Sequence, residues 1–188
     1  MNWSQYLELS EKTLSTQFHC EQKEELLLHA VMGILTEIEE ILDNYMPTLS
    51  NQSVSLDPTN ILEEVGDVTW YLAIIGRMYG IKLAGKVESK FSDPMTLILQ
   101  INKSALKMLD ILKKKLYYNK PIQDEQIIEH TQNIMIMIQE YMAMYSINLE
   151  QSFDINIAKL KARYGEKFSS ERAINRDLET ERNILEGK

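Results

Sequence analysis

Cysteine is almost missing from this 188-residue chain. Cys20 stands alone, which excludes an internal disulfide framework and any cysteine-based zinc cluster and fits a reducing compartment. Glycine and proline are sparse, at 7 and 4 residues, so the chain has few of the turn signals that a many-stranded fold needs. No run approaches the roughly 18 consecutive apolar residues of a membrane-spanning helix. The first residues, Met-Asn-Trp-Ser-Gln-Tyr-Leu-Glu, lack the basic and apolar regions of a secretory signal, so the expected location is the cytoplasm, away from any membrane. Positive charge is also short: 20 Lys and Arg face 28 Asp and Glu, a net charge of -8. Nucleic acid gripped through phosphate neutralisation is therefore not an expected partner. The one basic run, Lys113, Lys114 and Lys115 before Tyr117 and Tyr118, reads as an RNA or membrane contact or as lysines complementing the dipole of a helix end. A polyanionic ligand would need a metal bridge.

What the chain does have is apolar residues, 44% of the total, recurring at intervals of three and four, enough for one sizeable all-α domain. The expected architecture is a bundle of about six main helices. A first helix from about Glu21 to Met46 carries Leu27, Val31, Ile34, Leu35, Ile38, Ile41 and Leu42 on one stripe and should stop near Pro47. A second opens at Asn60, with Glu63 completing a variant capping box, and runs through Val68, Trp70, Tyr71, Leu72, Ile74, Ile75 and Met78 to Gly80. A third, about Pro94 to Tyr118, and a fourth, about Asp124 to Tyr145, flank a turn at Asn119, Lys120 and Pro121. The fourth is apolar nearly all round at Ile134 to Ile138, so it belongs at the bundle centre with its methionines as core filler.

A weak internal repeat accompanies these helices. Met78-Tyr79-Gly80-Ile81-Lys82-Leu83 returns 66 residues later as Met144-Tyr145-Ser146-Ile147-Asn148-Leu149, and Leu83, Val87 and Phe91 match Leu149, Phe153 and Ile157. At that offset Glu64 falls opposite His130 and Asp67 opposite Asn133. The single domain then divides into an acidic hairpin half over 19–92, a degenerate second half over 93–165 and a C-terminal arm over 166–188.

Two acidic pairs carry the chemistry. Residues three apart share a helix face, so Glu37 and Glu40 project together from the first helix and Glu64 and Asp67 from the second. If those helices pack antiparallel, four carboxylates converge, and a hard divalent cation with oxygen ligands is the simplest compensation for taking them out of water. The bland alternative is a solvated face. Against it stand the large apolar neighbours Ile41 and Val68 and the helix-interior Gly66, which costs about 1 kcal/mol relative to alanine and admits a close approach. Glu39 and Glu63 extend the clusters as exposed surface or as support. A di-iron centre is disfavoured, because such centres use Glu-x-x-His pairs and none of His19, His29 and His130 has an acid three positions before it.

The stretches Gly33-Ile34-Leu35-Thr36-Glu37-Ile38-Glu39-Glu40 and Ile61-Leu62-Glu63-Glu64-Val65-Gly66-Asp67-Val68-Thr69-Trp70-Tyr71-Leu72 resemble the two acidic motifs of the MazG-like, all-α nucleoside triphosphate pyrophosphohydrolases, which include dimeric dUTPase and dCTPase relatives. Asn156-Ile157-Ala158-Lys159-Leu160-Lys161-Ala162-Arg163-Tyr164-Gly165 with Phe168, then Ala173-Ile174-Asn175-Arg176-Asp177, is similar to the C-terminal segment of many members. The resemblance covers about half the chain and departs from many relatives at Thr36 and Ile38, where small residues are common. It implies that Glu37, Glu40, Glu64 and Asp67 hold Mg²⁺, with Mn²⁺ as a substitute, and that water attacks between the α and β phosphates of a nucleotide to give a monophosphate and pyrophosphate. Asn156, Lys159 and Arg163 would reach the triphosphate or form a solvated face, and His29 and Trp70 would edge the base or sit in the core. A homodimer is the assembly the resemblance implies, although the duplication would let one chain complete its own four-helix bundle. Two other readings stay open: hydrolysis of an alarmone such as ppGpp, and a non-catalytic helical protein that binds a nucleotide or a partner.

Overall fold

The computed structural model describes residues 18–49, 56–82, 93–165 and 168–188. Among them the chain forms seven helices and no strand: α1 (Gln22–Leu49), α2 (Pro58–Tyr79), α3 (Pro94–Tyr118), α4 (Asp124–Met144), α5 (Leu149–Tyr164), and the short α6 (Ser170–Ile174) and α7 (Leu178–Leu185). The fold is all-α, and none of the described helices is long and apolar enough to cross a membrane.

The first four helices close a bundle within one chain. Asn44 near the end of α1 meets Asn60 at the start of α2, while Gly33 lies against Tyr71 about three turns further along, so the pair is antiparallel. The amide of His19, just before α1, donates to the Leu116 carbonyl at the end of α3, which makes α1 and α3 antiparallel as well. Helix α4 packs on α3 and α2, completing a square in which every neighbour runs the other way. The apolar stripe read along α1 points inward: Leu27, Val31, Ile34, Ile38 and Ile41 are buried, with Leu35 and Leu42 packed at its margins. Burial of each such side chain contributes about 1.5 to 3 kcal/mol. Met135 and Met142 lie in this core, as expected of filler, and so does Tyr141, whose hydroxyl is within 2.8 Å of the Tyr45 hydroxyl.

Two helix ends differ from expectation. Helix α1 runs past Pro47 to Leu49. Helix α2 starts before Asn60, because Asp57 in extended backbone caps it, accepting from the Thr59 amide at 2.9 Å, and Pro58 fits the first turn, where no amide donor is needed. Asn60 is thereby released from capping and placed one turn inside, facing Glu64. Helix α3 begins and ends where the sequence put it, with Asp93 accepting from the Thr96 amide at 2.8 Å and Asn119 in the left-handed region. The lysine run at its end is largely engaged: Lys113 and Lys114 pair with Asp110, and Lys115 donates to Asn119.

Over their described residues the two repeats make similar turns. Gly80 and Ser146, 66 residues apart, have φ of 66° and 56°, and in both turns the next amide reaches back five residues, Ile81 to Gly76 and Ile147 to Met142, each at 2.9 Å. Leu83, Val87 and Phe91 lie outside the described residues. Beyond the second turn, α5 lies across α2 and carries α6 and α7 with it, so the C-terminal arm ends beside the first hairpin.

Candidate functional site

A cavity of about 650 Å³ opens where α5 and the arm lie across the acidic faces of α1 and α2. Carboxylate oxygens of Glu37, Glu40 and Glu64 lie within 4.8 Å of one another in its wall. Antiparallel packing brings them together: Glu37 and Glu40 face up from α1, and Glu64 faces across from α2. Glu64 is buried, accepts from the Asn60 amide at 3.0 Å and shares a hydrogen bond with Glu37. Burial first, then the charges of Glu40, Glu63 and Glu37, push the Glu64 carboxyl up to about 9. Burial, Asp67 and Glu40 push that of Glu37 up to about 7. Glu40, more exposed, is also raised, by partial burial and by Glu63. These three acids have too little positive charge around them.

The fourth carboxylate behaves differently. Of the four acids expected to converge, all line the cavity and the charge of Asp67 acts on Glu37, but only three form the close group, because the Asp67 oxygens are engaged by α5. One of its oxygens accepts from Asn156 Nδ2 at 2.6 Å and the other from Lys159 Nζ at 2.5 Å. Lys159 is fully buried, an arrangement tolerable only because it also meets Glu63 at 3.1 Å. Glu63 thus supports the site, while Glu39 is exposed. Gly66 permits this packing: a Cβ there would stand 3.2 Å from Asn156 Nδ2. Asn156, Lys159 and Arg163 do share one face of α5, turned inward rather than to solvent, but only Arg163 lines the cavity, while Asn156 and Lys159 are buried against Asp67 of α2. Arg163, however, is bound through Nε and Nη2 to Glu181 of α7, at 2.7 and 2.6 Å.

The two aromatic candidates are in the cavity wall as well. His29 is exposed and meets the ring of Tyr71 edge-on at 5.6 Å, and half-buried Trp70 meets the same ring at 5.0 Å. Trp70 also borders an apolar groove of about 420 Å³ on the far side of α2. Tyr71 joins His29 and Trp70, although in the sequence it stands only as one member of the apolar run of α2. The signal was Gly33, where a Cβ would fall 2.1 Å from the Tyr71 ring, so only glycine lets that ring lie against α1. Arg176 and Glu181 were missed too. They come from the arm, and their partners lie on α5 and α2, so no local spacing announces them.

Comparison of the chain with protein-family models, with curated proteins and with solved structures finds no match. The site's chemistry is therefore argued from its own residues. An all-oxygen set of three carboxylates, with neither histidine nor cysteine among them, suits a hard cation rather than zinc or copper. The raised carboxyls of Glu37 and Glu64 mark a place where a positive ion would be strongly favoured. On the other side of the cavity stand Lys161, Arg163 and Arg176. One pole can hold a cation and the other an anion.

Proposed function

We propose that this chain is a Mg²⁺-dependent nucleotide pyrophosphohydrolase, cleaving a (deoxy)nucleoside triphosphate to the monophosphate and pyrophosphate and so clearing the nucleotide pool. The observation that supports this reading is the pairing of the Glu37, Glu40 and Glu64 cluster with a basic wall in one cavity of about 650 Å³, large enough for a nucleotide. A polyphosphate carrying a divalent ion is the common ligand that satisfies both poles, with its metal toward the acids and its free oxygens toward the arginines.

Glu37, Glu40 and Glu64 would hold the ion, and Mn²⁺ would serve in place of Mg²⁺. When bound, the ion supplies neutralisation of the phosphate oxygens and a lowered pKa for a water. The remaining work falls to the chain. Asn156 and Lys159 fix both oxygens of Asp67, leaving lone pairs that orient the attacking water at the cavity edge. Arg163 and Arg176 bring guanidinium charge to the phosphate tail, where the leaving pyrophosphate accumulates negative charge. Tyr71, flanked by His29 and Trp70, offers an aromatic surface for the base. Water attacks the α phosphorus, the bond to the bridging oxygen breaks, and that oxygen leaves with pyrophosphate.

The test is pyrophosphate release from a panel of deoxynucleoside triphosphates, ribonucleoside triphosphates and ppGpp in Mg²⁺. Turnover is expected for at least one triphosphate, lost with EDTA and reduced by about a hundred-fold or more in Glu40→Gln. Turnover of ppGpp alone would move the activity to alarmones. No turnover of any nucleotide by folded, Mg²⁺-loaded protein would sink the hydrolase and leave a binding protein.

A further inference from the structure

We infer that Glu181, on the short C-terminal helix α7, is a positioning residue: it sets the guanidiniums of Arg163 and Arg176 side by side as an anion subsite for the terminal phosphate group of a polyphosphate. The assignment rests on the polyphosphate reading above and specifies which part of that ligand the basic wall takes.

Glu181 is buried although every other residue from Asn175 to Thr180 is exposed. Its carboxylate accepts from Arg163 Nε and Nη2 at 2.7 and 2.6 Å and from Arg176 Nε and Nη2 at 3.2 and 2.7 Å. Both arginines therefore present the same Nε–Nη2 edge to one acid, and Nη1 of each takes no part in those four bonds. Two cations share one anion here. The nearest further acid is Glu63, 3.5 Å from Arg176, and its oxygen already meets the buried ammonium of Lys159. The pair thus keeps an excess of positive charge in a cavity wall. Helix α7 is itself anchored: Asp177 caps it, Leu185 is buried, and Arg182 pairs at 2.9 Å with Asp57, the residue that caps α2. Without the Glu181 carboxylate the two guanidiniums repel each other, and two long side chains regain the freedom that the carboxylate removes. A carboxylate that merely competed with the incoming anion for these arginines would have the reverse effect.

The experiment uses imidodiphosphate, a pyrophosphate analogue with no hydrolysable bridge, titrated calorimetrically into the full chain in Mg²⁺. Wild type is expected to bind it, and Glu181→Gln to bind it about ten-fold more weakly. Mn²⁺ affinity, measured by EPR without the anion, should not change, because the carboxylate cluster is elsewhere. No binding to wild type, or equal or tighter binding by folded Glu181→Gln, overturns the assignment. If Glu181→Gln does not hold its fold, Arg176→Gln decides, since that side chain is partly exposed: several-fold weaker binding supports the subsite and unchanged binding overturns it. Imidodiphosphate binding that falls in these variants, in a protein that turns over no nucleotide, would refute the hydrolase while sustaining this subsite.

Discussion

Two groups of charges share one cavity and are built on opposite principles. Asp67, Glu63 and Glu181 are matched by Lys159, Arg163 and Arg176, three carboxylates against three cations linked from α2 through α5 to the arm. Glu37, Glu40 and Glu64, beside them, make no described ion pair with a cation: Glu64 accepts from the Asn60 amide and Glu37 from the Thr36 hydroxyl, both neutral donors. In the first group every carboxylate meets a cation, and these ion pairs tie the arm to the bundle. The second is complete only with something positive added. A buried charge with its partner is architecture, whereas a buried charge without one is a request for a ligand.

The largest effect should come from breaking the matched group at its buried centre. Lys159→Met removes the buried ammonium and leaves Asp67 with only the neutral Asn156 amide and Glu63 with only the more distant Arg176, at an expected cost of about 3 to 5 kcal/mol. Urea unfolding in EDTA measures it. A loss below that of an ordinary surface substitution would mean that the ion pairs contribute nothing and that the comparison is wrong.

The two groups should also respond to pH in opposite senses. Burial alone would raise the Glu181 carboxyl, but hydrogen bonds from Arg163 and Arg176 outweigh it and hold it at about 2. A depressed carboxyl binds fewer protons folded than unfolded. Its stabilisation is full above about 4.5 and is lost as pH falls toward 2. Glu64, pushed up to about 9, binds more protons folded than unfolded, so the metal-free protein should lose stability as pH rises from about 4.5 toward 9. Glu64→Gln, which imitates the protonated acid, should flatten that alkaline limb and stabilise metal-free protein by about 2 kcal/mol at pH 8 while abolishing Mg²⁺-dependent turnover. An unchanged or steeper alkaline limb in urea titrations of that variant would remove the case for an unmatched cluster.

What could be read in advance follows the range of the interactions. Helix α3 was legible at both ends because Asp93, Pro94 and Asn119 act on their own neighbours. The facing of Glu37 with Glu40 was legible because helical geometry alone sets it. The destination of Asp67 was not, since spacing places a residue on a face without saying which cation a distant helix will bring, here Lys159 across 92 residues. Arg163 was placed at the cavity, but its partner Glu181 sits on another helix with no periodic signal. The start of α2 was misjudged because two capping residues competed, and Pro58 settles the matter for Asp57.

The smallest effect concerns a second comparison, between the two hairpins. The turns after α2 and α4 share the five-residue return bond and a left-handed residue, Gly80 in one and Ser146 in the other. A side chain at that φ crowds the following carbonyl, a cost of roughly 1 to 2 kcal/mol that glycine escapes. Nothing lies within 4 Å of a Cβ built on Gly80, so Gly80→Ala isolates the backbone cost and should destabilise by about 1 kcal/mol. Ser146→Gly should do the opposite, stabilising by about 0.5 kcal/mol because the greater freedom of glycine in the unfolded chain offsets part of the relief. Opposite signs in thermal unfolding, with the smaller effect at Ser146, would mean that both turns carry the same backbone strain and that the hairpins are built alike. A destabilising Ser146→Gly would show that the serine side chain supports the second turn in a way glycine cannot, and the two hairpins would then share only their outline.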